Sequence, residues 1–324
     1  MIPWTISEQF QDDSFASLSG IRIVRIATHP NACGRGYGSR ALELLLKYYE
    51  GQLTNFDNIK TDEQQEMNNS ITSTKTSEKG LNEEKIKPKN AKKMPPILQA
   101  LSERRPAPLH YLGTSFGVTK ELFSFWKKSG FIPVYLRQTA NELTGEHTCV
   151  MIRPINTHDD FIAVPESIKA MVPKGQSEAS WIDSYYVDFK KRLLSLFGYD
   201  FRALPCSLAF QFVGEKNQNQ GQAGEAVEDP DLINSISRES LERYISVFDL
   251  RRLDSYSKNM VDFHLVMDLV PILAKLFFCQ TDLPKGAVNL SQTQSAILIG
   301  IGLQFKKVED IEQDLDLNAN QILP

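Results

Sequence analysis

The sequence predicts an α/β domain joined to a mainly helical one, and three observations carry that expectation. A β-branched run (Ile21, Ile23, Val24, Ile26) leads through a glycine-dense turn into a helix whose apolar residues are Ala41, Leu42, Leu44, Leu45 and Leu46. A second unit, Lys120 to Pro133, reads as a short amphipathic helix bearing Leu122, Phe123 and Trp126, closed by Gly130 and followed by a strand from Phe131 to Leu136. Beyond residue 158 the apolar residues recur with the 3.6-residue period of helices.

In the first unit the strand is expected to be buried and the helix to run from Ser39 onward. Gly34, Gly36 and Gly38 between them allow a sharp turn and a close approach to a ligand. The first N–H groups of the helix have no intrahelical partner and carry the positive end of its dipole, so an anion is the expected guest. A nucleotide P-loop needs Gly-Lys-Ser/Thr where this chain has Gly38-Ser39-Arg40. A dinucleotide fingerprint needs a third glycine where Ser39 stands, and a following strand where a polar tract begins. The spacing that fits, x-x-G-x-G-x-G/S after a strand, resembles the acetyl-CoA pyrophosphate loop of the GNAT N-acetyltransferase superfamily; alone, it also reads as an ordinary glycine-rich turn.

The helix-Gly-Phe-strand unit resembles the second half of the GNAT fold. A further strand, Thr148 to Arg153, follows the loop Arg137 to His147, giving the order strand, helix, helix, strand, strand. The words around these motifs are more specific. Ile2-Pro3-Trp4-Thr5, His29-Pro30, Gly36-Tyr37-Gly38-Ser39-Arg40-Ala41-Leu42, Tyr111-Leu112-Gly113, Pro133-Val134-Tyr135-Leu136-Arg137-Gln138-Thr139, Leu143-Thr144-Gly145-Glu146-His147 and Tyr256-Ser257-Lys258-Asn259-Met260-Val261-Asp262 resemble the eukaryotic RNA cytidine acetyltransferases. The likeness covers nearly the whole chain outside Gln52 to Lys93.

The resemblance implies an acetyl-CoA-dependent enzyme that makes N4-acetylcytidine in small-subunit rRNA and in tRNA. It implies rRNA, tRNA, pre-ribosomal particles and RNA adaptors (a snoRNA or a tRNA adaptor protein) as partners, a nuclear and nucleolar location, and a homo-oligomer in the full-length family. Relatives also carry an ATP-using helicase region, which this sequence lacks. The chain is therefore expected to be a C-terminal portion: residues 1–51 the first part of a GNAT domain without its opening strands, 52–95 a disordered polar insertion, 96–158 the second part, and 159–324 a helical domain that relatives are proposed to use in holding tRNA or rRNA.

Composition agrees with a folded chain. At 324 residues and 41% hydrophobic content it can build real cores, and no apolar run approaches the ~20 residues of a membrane span. The four cysteines (Cys33, Cys149, Cys206, Cys279) include no CxxC pair, and the N-terminus has no charged region followed by an apolar stretch. Residues 1–158 hold 20 Lys+Arg against 16 Asp+Glu, and residues 159–324 hold 16 against 24, so the second part is acidic. Since phosphate contacts set most RNA affinity, binding would rest on local patches such as Arg104-Arg105, Lys127-Lys128 and Lys190-Lys191-Arg192, each of which also reads as a solvated face.

The tract Gln52 to Lys93 buries too little apolar area to offset its ordering entropy, and a second polar linker spans Gly214 to Asp229. Helices are expected over Trp181 to Leu196, Arg238 to Leu250, Asn259 to Phe278 and Ser291 to Leu303. Val308 to Asn318 with Ala319 to Leu323 has helix-turn-helix spacing in acidic surroundings, which favours a structural hairpin over a nucleic-acid reader.

By resemblance, the pyrophosphate lies on the amides of Cys33, Gly34, Arg35, Gly36, Tyr37, Gly38 and Ser39. The strand end Ile26, Ala27 and Thr28 hydrogen-bonds the pantetheine arm and the thioester carbonyl, and Arg137 reaches the cofactor. Amides at the thioester would stabilise developing negative charge. The cytosine amine is a weak nucleophile, so a base is useful. His29 is the first candidate, or it orders the loop before Pro30; His147 and Glu146 are further candidates on the substrate side. Tyr37 either protonates the leaving thiolate or packs, with packing favoured. Cys33 replaces the glutamine usual in relatives and is expected to be inert, and His110 stands where relatives commonly have Asp. Two other classes remain open: a catalytically inactive interaction module of pre-ribosome assembly, and a protein N-acetyltransferase.

Overall fold

A mixed sheet in the order β1–β2–β4–β3 organises the first half of the chain. The structure is a computed structural model that describes residues 2–53, 102, 104, 106–155, 168, 181–214, 244–279 and 290–322. Helix α1 (Ile2–Phe10) and a 3-10 turn (Asp13–Ser17) precede β1 (Gly20–Ile23). A second 3-10 turn (Pro30–Ala32), α2 (Tyr37–Tyr49), β2 (Tyr111–Gly117), α3 (Lys120–Lys128), β3 (Ile132–Leu136) and β4 (Thr148–Pro154) follow. β1 runs parallel to β2, and β4 is antiparallel to both β2 and β3. The C-terminal ends of β1, β2 and β3 therefore share one end of the sheet.

Two expectations for the sheet need correction. The first strand stops at Ile23 rather than running buried through Ile26, and Val24 is 69% exposed. β1 is an edge strand of the described sheet, so its β-branched residues are only half covered. The sequence order of elements also gains a strand, because β2 lies between α2 and α3. Its sequence, YLGTSFG, has two glycines and no alternation, since Tyr111 faces one core and Leu112 the other. A strand covered on both faces loses the period-2 signal that marks half-buried strands.

Helix α3 ends as expected at Gly130, whose φ of +81° permits a left-handed cap. Gly130 N–H donates to the Lys127 carbonyl at 3.0 Å, and Phe131 N–H to the Trp126 carbonyl at 3.1 Å. Phe123 and Trp126 are buried as expected, but Leu122 is half-exposed on the other side.

The tail is helical: α4 (Trp181–Leu196), α5 (Cys206–Val213), α6 (Val247–Ser257), α7 (Val270–Cys279), α8 (Gln292–Gly302), α9 (Val308–Leu315) and α10 (Ala319–Ile322). α4 has the expected bounds. α5 was not anticipated, because its apolar residues leave no polar face to give a period. Of the helix expected over Arg238 to Leu250, residues 238–243 lie outside the described residues, and α6 starts at a Ser246–Asp249 capping box and runs on to Ser257. The helix expected from Asn259 begins only at Val270: Asn259 sits at φ +55°, Phe263–Leu265 form a 3-10 turn, and Pro271 fits a first turn. The expected hairpin is present as α9 and α10, turned by Asp316 in the left-handed region. Apart from Gln52, Leu53 and Gly214, the polar tract and linker lie outside the described residues.

The two halves share one core. Leu42, Leu112, Phe123, Trp126 and Met151 from the sheet side are continuous with Phe189, Phe197, Phe212, Phe278 and Leu303 of the tail. The rings of Phe123 and Phe212 lie 4.2 Å apart, and α4 packs on β3. Polar contacts cross the same boundary. The Tyr185 hydroxyl donates to the Asp12 carboxylate, and the Lys127 ammonium donates to the Gln211 carbonyl and, at 3.0 Å, to that of Gly214. Among the described residues, no helix is long and apolar enough to cross a membrane, and no group of His, Cys, Asp and Glu is placed to hold a metal ion.

Candidate active site

β1 and β2 pair for four residues, from Gly20 with Tyr111 to Ile23 with Thr114, and then part. β2 continues paired with β4 through Gly117, whereas Val24 to Thr28 leave the ladder. Among the described residues, no hydrogen bond satisfies the N–H groups of Arg25, Ile26, Ala27 and Thr28. Unpaired backbone donors beside a strand end are ready for an extended ligand carrying carbonyl acceptors.

The chain then turns through His29, Pro30 and Ala32. His29 caps this turn: its Nδ1 accepts the Asn31 N–H at 3.3 Å, and the side chain is exposed. Cys33 directs its thiol at the Thr28 and His29 carbonyl oxygens, at 3.6 and 3.5 Å. Gly34 and Gly36 have φ of +76° and +84°, a region that side chains disfavour, and a Cβ on either would meet nothing within 4 Å. The glycines are thus required by backbone conformation, and the surface above them is open.

Helix α2 follows with Gly36 as its N-cap, no side-chain cap and no acidic residue in the first turn. Its first backbone bond runs from Arg40 N–H to the Gly36 carbonyl at 2.9 Å. Among the described residues, the N–H groups from Gly36 to Ser39 have no partner, so donors and helix dipole converge on an open surface. Arg35 is exposed. Arg40 is held by Glu43 at 2.8 Å, and Lys47 with Arg40 lowers the Glu43 carboxyl to about 2. Tyr37 is 61% exposed, so it does not pack as expected.

Arg137 stands at the same sheet end, just past β3, and is exposed. Three strand spacings, about 14 Å, separate it from the line of β1. Its backbone is nevertheless engaged: its N–H donates to the Thr148 carbonyl at 2.8 Å, and its carbonyl lies 2.8 Å from His147 Nδ1. A carbonyl can only accept, so Nδ1 carries the proton and the neutral ring keeps a lone pair on Nε2. The ring is half-buried against Phe201 at 5.1 Å, edge to face.

Next to it, the Glu146 carboxylate covers Gly117, where even a Cβ would overlap it. Sequence reasoning named Glu146 and His147 but missed Gly117 and Phe201. Contacts between residues about 29 and 54 positions apart leave no local signal. Of the basic patches, Lys127 binds carbonyls of the α5 end and Arg192 donates to the Gln9 carbonyl at 3.1 Å.

Comparison with known proteins accounts for both halves. Residues 1–156 match the family model "GNAT acetyltransferase 2", and residues 181–324 match the model "Possible tRNA binding domain". Over 100% of its length the chain is 42% identical to the RNA cytidine acetyltransferase of Dictyostelium discoideum, 41% to that of Homo sapiens and 42% to that of Saccharomyces cerevisiae. It spans 29%, 28% and 28% of those relatives. With this identity sustained from the parted strands to the last helix, the chain belongs to the RNA cytidine acetyltransferase family.

Proposed function

We propose that this chain carries the acetyl-transfer step of an RNA cytidine acetyltransferase. Acetyl-CoA is the donor, N4 of cytidine in small-subunit rRNA and tRNA the acceptor, and nucleolar ribosome assembly, with its RNA adaptors, the setting. One observation carries the reading: the free amides of Arg25 to Thr28 lead, through the turn at His29 to Cys33, into the open, left-handed glycine loop at the start of α2. An extended acyl carrier with an anionic end fits that succession of donors. The helical tail supports an RNA acceptor through its match to a possible tRNA-binding model.

Acetyl-CoA would supply a thioester, whose acyl carbon would bond to N4 as the carbon–sulfur bond breaks and coenzyme A leaves as the thiolate with the electron pair. The amides of Gly34 to Ser39 hold the pyrophosphate, and those of Arg25 to Thr28 align the arm and face the acyl oxygen. The proton lost from N4 goes to His147 Nε2, since its Nδ1 is committed to the Arg137 carbonyl. His29 has the opposite tautomer: Nδ1 accepts the Asn31 N–H, so in the neutral ring Nε2 carries the proton. His29 therefore shapes the loop. Arg137 places the His147 ring through its carbonyl, and its exposed guanidinium is free to meet an anion.

The test is acetyl transfer from labelled acetyl-CoA to transcribed small-subunit rRNA and tRNA, followed by nuclease digestion and identification of the labelled nucleoside. N4-acetylcytidine is the expected product. Label retained on protein after nuclease treatment would instead support a protein acetyltransferase, and acetyl-CoA binding without transfer an interaction module.

A further inference from the structure

We infer that Leu143 is an apolar wedge that fills the space left when a paired target cytidine is turned out of an RNA helix. The inference rests on the cytidine acetyltransferase reading above and assigns that site a means of opening its substrate. Leu143, in the β3–β4 loop, is 96% exposed, more than any other large apolar side chain among the described residues. Its exposure is not slack in a loose loop. Asn141 Oδ1 accepts the N–H groups of Leu143 and Thr144 at 2.8 and 3.4 Å, and the Asn141 carbonyl accepts Gly145 N–H at 2.8 Å. Asn141 N–H donates to the Glu146 carbonyl at 2.9 Å, Glu146 N–H to Thr144 Oγ1 at 3.4 Å, and Gly145 takes a φ of +70°. Five hydrogen bonds within six residues hold one leucine out into solvent.

The position of this turn gives the exposure a use. It continues directly into Glu146 and His147, which lie at the end of β2 beside the parted strands. From Gln138 to His147 the loop has no lysine or arginine, so its tip is suited to an apolar contact rather than to phosphate. N4 of cytidine is a group used in pairing with guanine, so a paired target must leave its helix before N4 can reach an acyl carbon. Apolar side chains inserted at base steps are a general means of stabilising such an opened helix. An apolar side chain on a stiff turn, four residues before the proton-accepting residue in the same loop, has the chemistry for that task.

The test uses the full chain, an RNA hairpin with pyrrolocytidine at a paired target position, and an unpaired RNA of the same sequence. Leu143→Ser is compared with Leu143→Met and the parent, with circular dichroism confirming the fold, which an exposed side chain does not support. The parent and Leu143→Met are expected to raise the fluorescence of the paired probe, and Leu143→Ser to leave it quenched. With ordinary cytidine, Leu143→Ser is expected to lose about tenfold in acetylation of the paired target, a modest share of an opening cost, and nothing on the unpaired one. Equal fluorescence and an unchanged paired-to-unpaired ratio in Leu143→Ser would overturn the wedge, as would a parent that leaves the probe quenched. A parent that opens the probe but acetylates neither RNA would sustain the wedge and overturn the cytidine acetyltransferase reading.

Discussion

His147 Nδ1 meets the Arg137 carbonyl at 2.8 Å across the neck of the β3–β4 loop, ten residues apart in sequence. The same neck is tied by Arg137 N–H to Thr148 O at 2.8 Å and by Val118 N–H to His147 O at 2.9 Å. The imidazole is thus oriented by a backbone carbonyl and by the Phe201 ring, with one tautomer selected.

His147→Ala is expected to lower kcat for acetyl transfer by about 10²- to 10³-fold while leaving acetyl-CoA affinity intact, the range for a lost general base. His29→Ala, which removes only a turn cap, is expected to change kcat by far less. Single-turnover kinetics with saturating acetyl-CoA separate the two; equal losses would remove the distinction drawn between the rings.

Gly36→Ala imposes a left-handed conformation on a residue with a Cβ, at a cost of about 1–2 kcal/mol, without creating a clash. Relief of that strain would move the amides of the loop. Calorimetric titration should show acetyl-CoA binding weakened about tenfold, with the thermal transition little changed, because the loop is exposed and outside the core.

In the tail, the Lys306 ammonium lies 2.6 Å from Asp314 Oδ2 with only 8% of its side chain exposed, and the same carboxylate accepts Cys206 N–H at 3.0 Å. Burial pushes the Asp314 carboxyl up, but the bonds from Lys306 and Cys206 outweigh it, so the net shift is downward. A depressed carboxylate contributes stability that is complete above its unfolded value, about 3.9, and is lost as pH falls through the lower folded value. Asp314→Ala should cost about 3 kcal/mol at neutral pH by leaving the buried ammonium with the Leu204 carbonyl but without its counter-charge, and should flatten the acid limb of the stability curve. Urea melts at several pH values measure both.

His110 is buried, its Nδ1 accepts Ser19 N–H at 2.9 Å, and among the described residues its Nε2 has no partner. Because Nδ1 accepts, the orphan is a donor. His110→Asp retains an acceptor for Ser19 and removes that donor, whereas His110→Leu strands the Ser19 N–H at a cost of about 1–3 kcal/mol. The Asp variant should melt above the Leu variant; the reverse order would discount the Ser19 bond.

Phe212 is fully buried against Phe123, on the boundary between the two halves. Phe212→Ala should destabilise by about 3–5 kcal/mol. Fluorescence of Trp126 in α3 and Trp181 in α4 should report one shared transition, since one core spans both halves. Two separated transitions would show that the halves fold independently.

Local rules carried much of this architecture. The glycine spacing before α2, the Gly130 cap of α3, the 3.6 period of α4 and the α9–α10 hairpin are decided by residues within one or two turns of each other, so they were legible in one dimension. β2 and α5 were not, because elements covered on all sides have no polar phase to betray them. The same division holds at the site. The sequence by itself determined the free amides of the loop and the identity of the family, since backbone conformation at Gly34 and Gly36 and the order of motif words are local properties. Only the tertiary structure decided which histidine keeps an open lone pair, that Glu146 covers Gly117, and that the strand leading to Arg137 lies three positions from β1. Hydrogen-bond partners and strand order are set by which chain segments meet, and that is a property of the packed core.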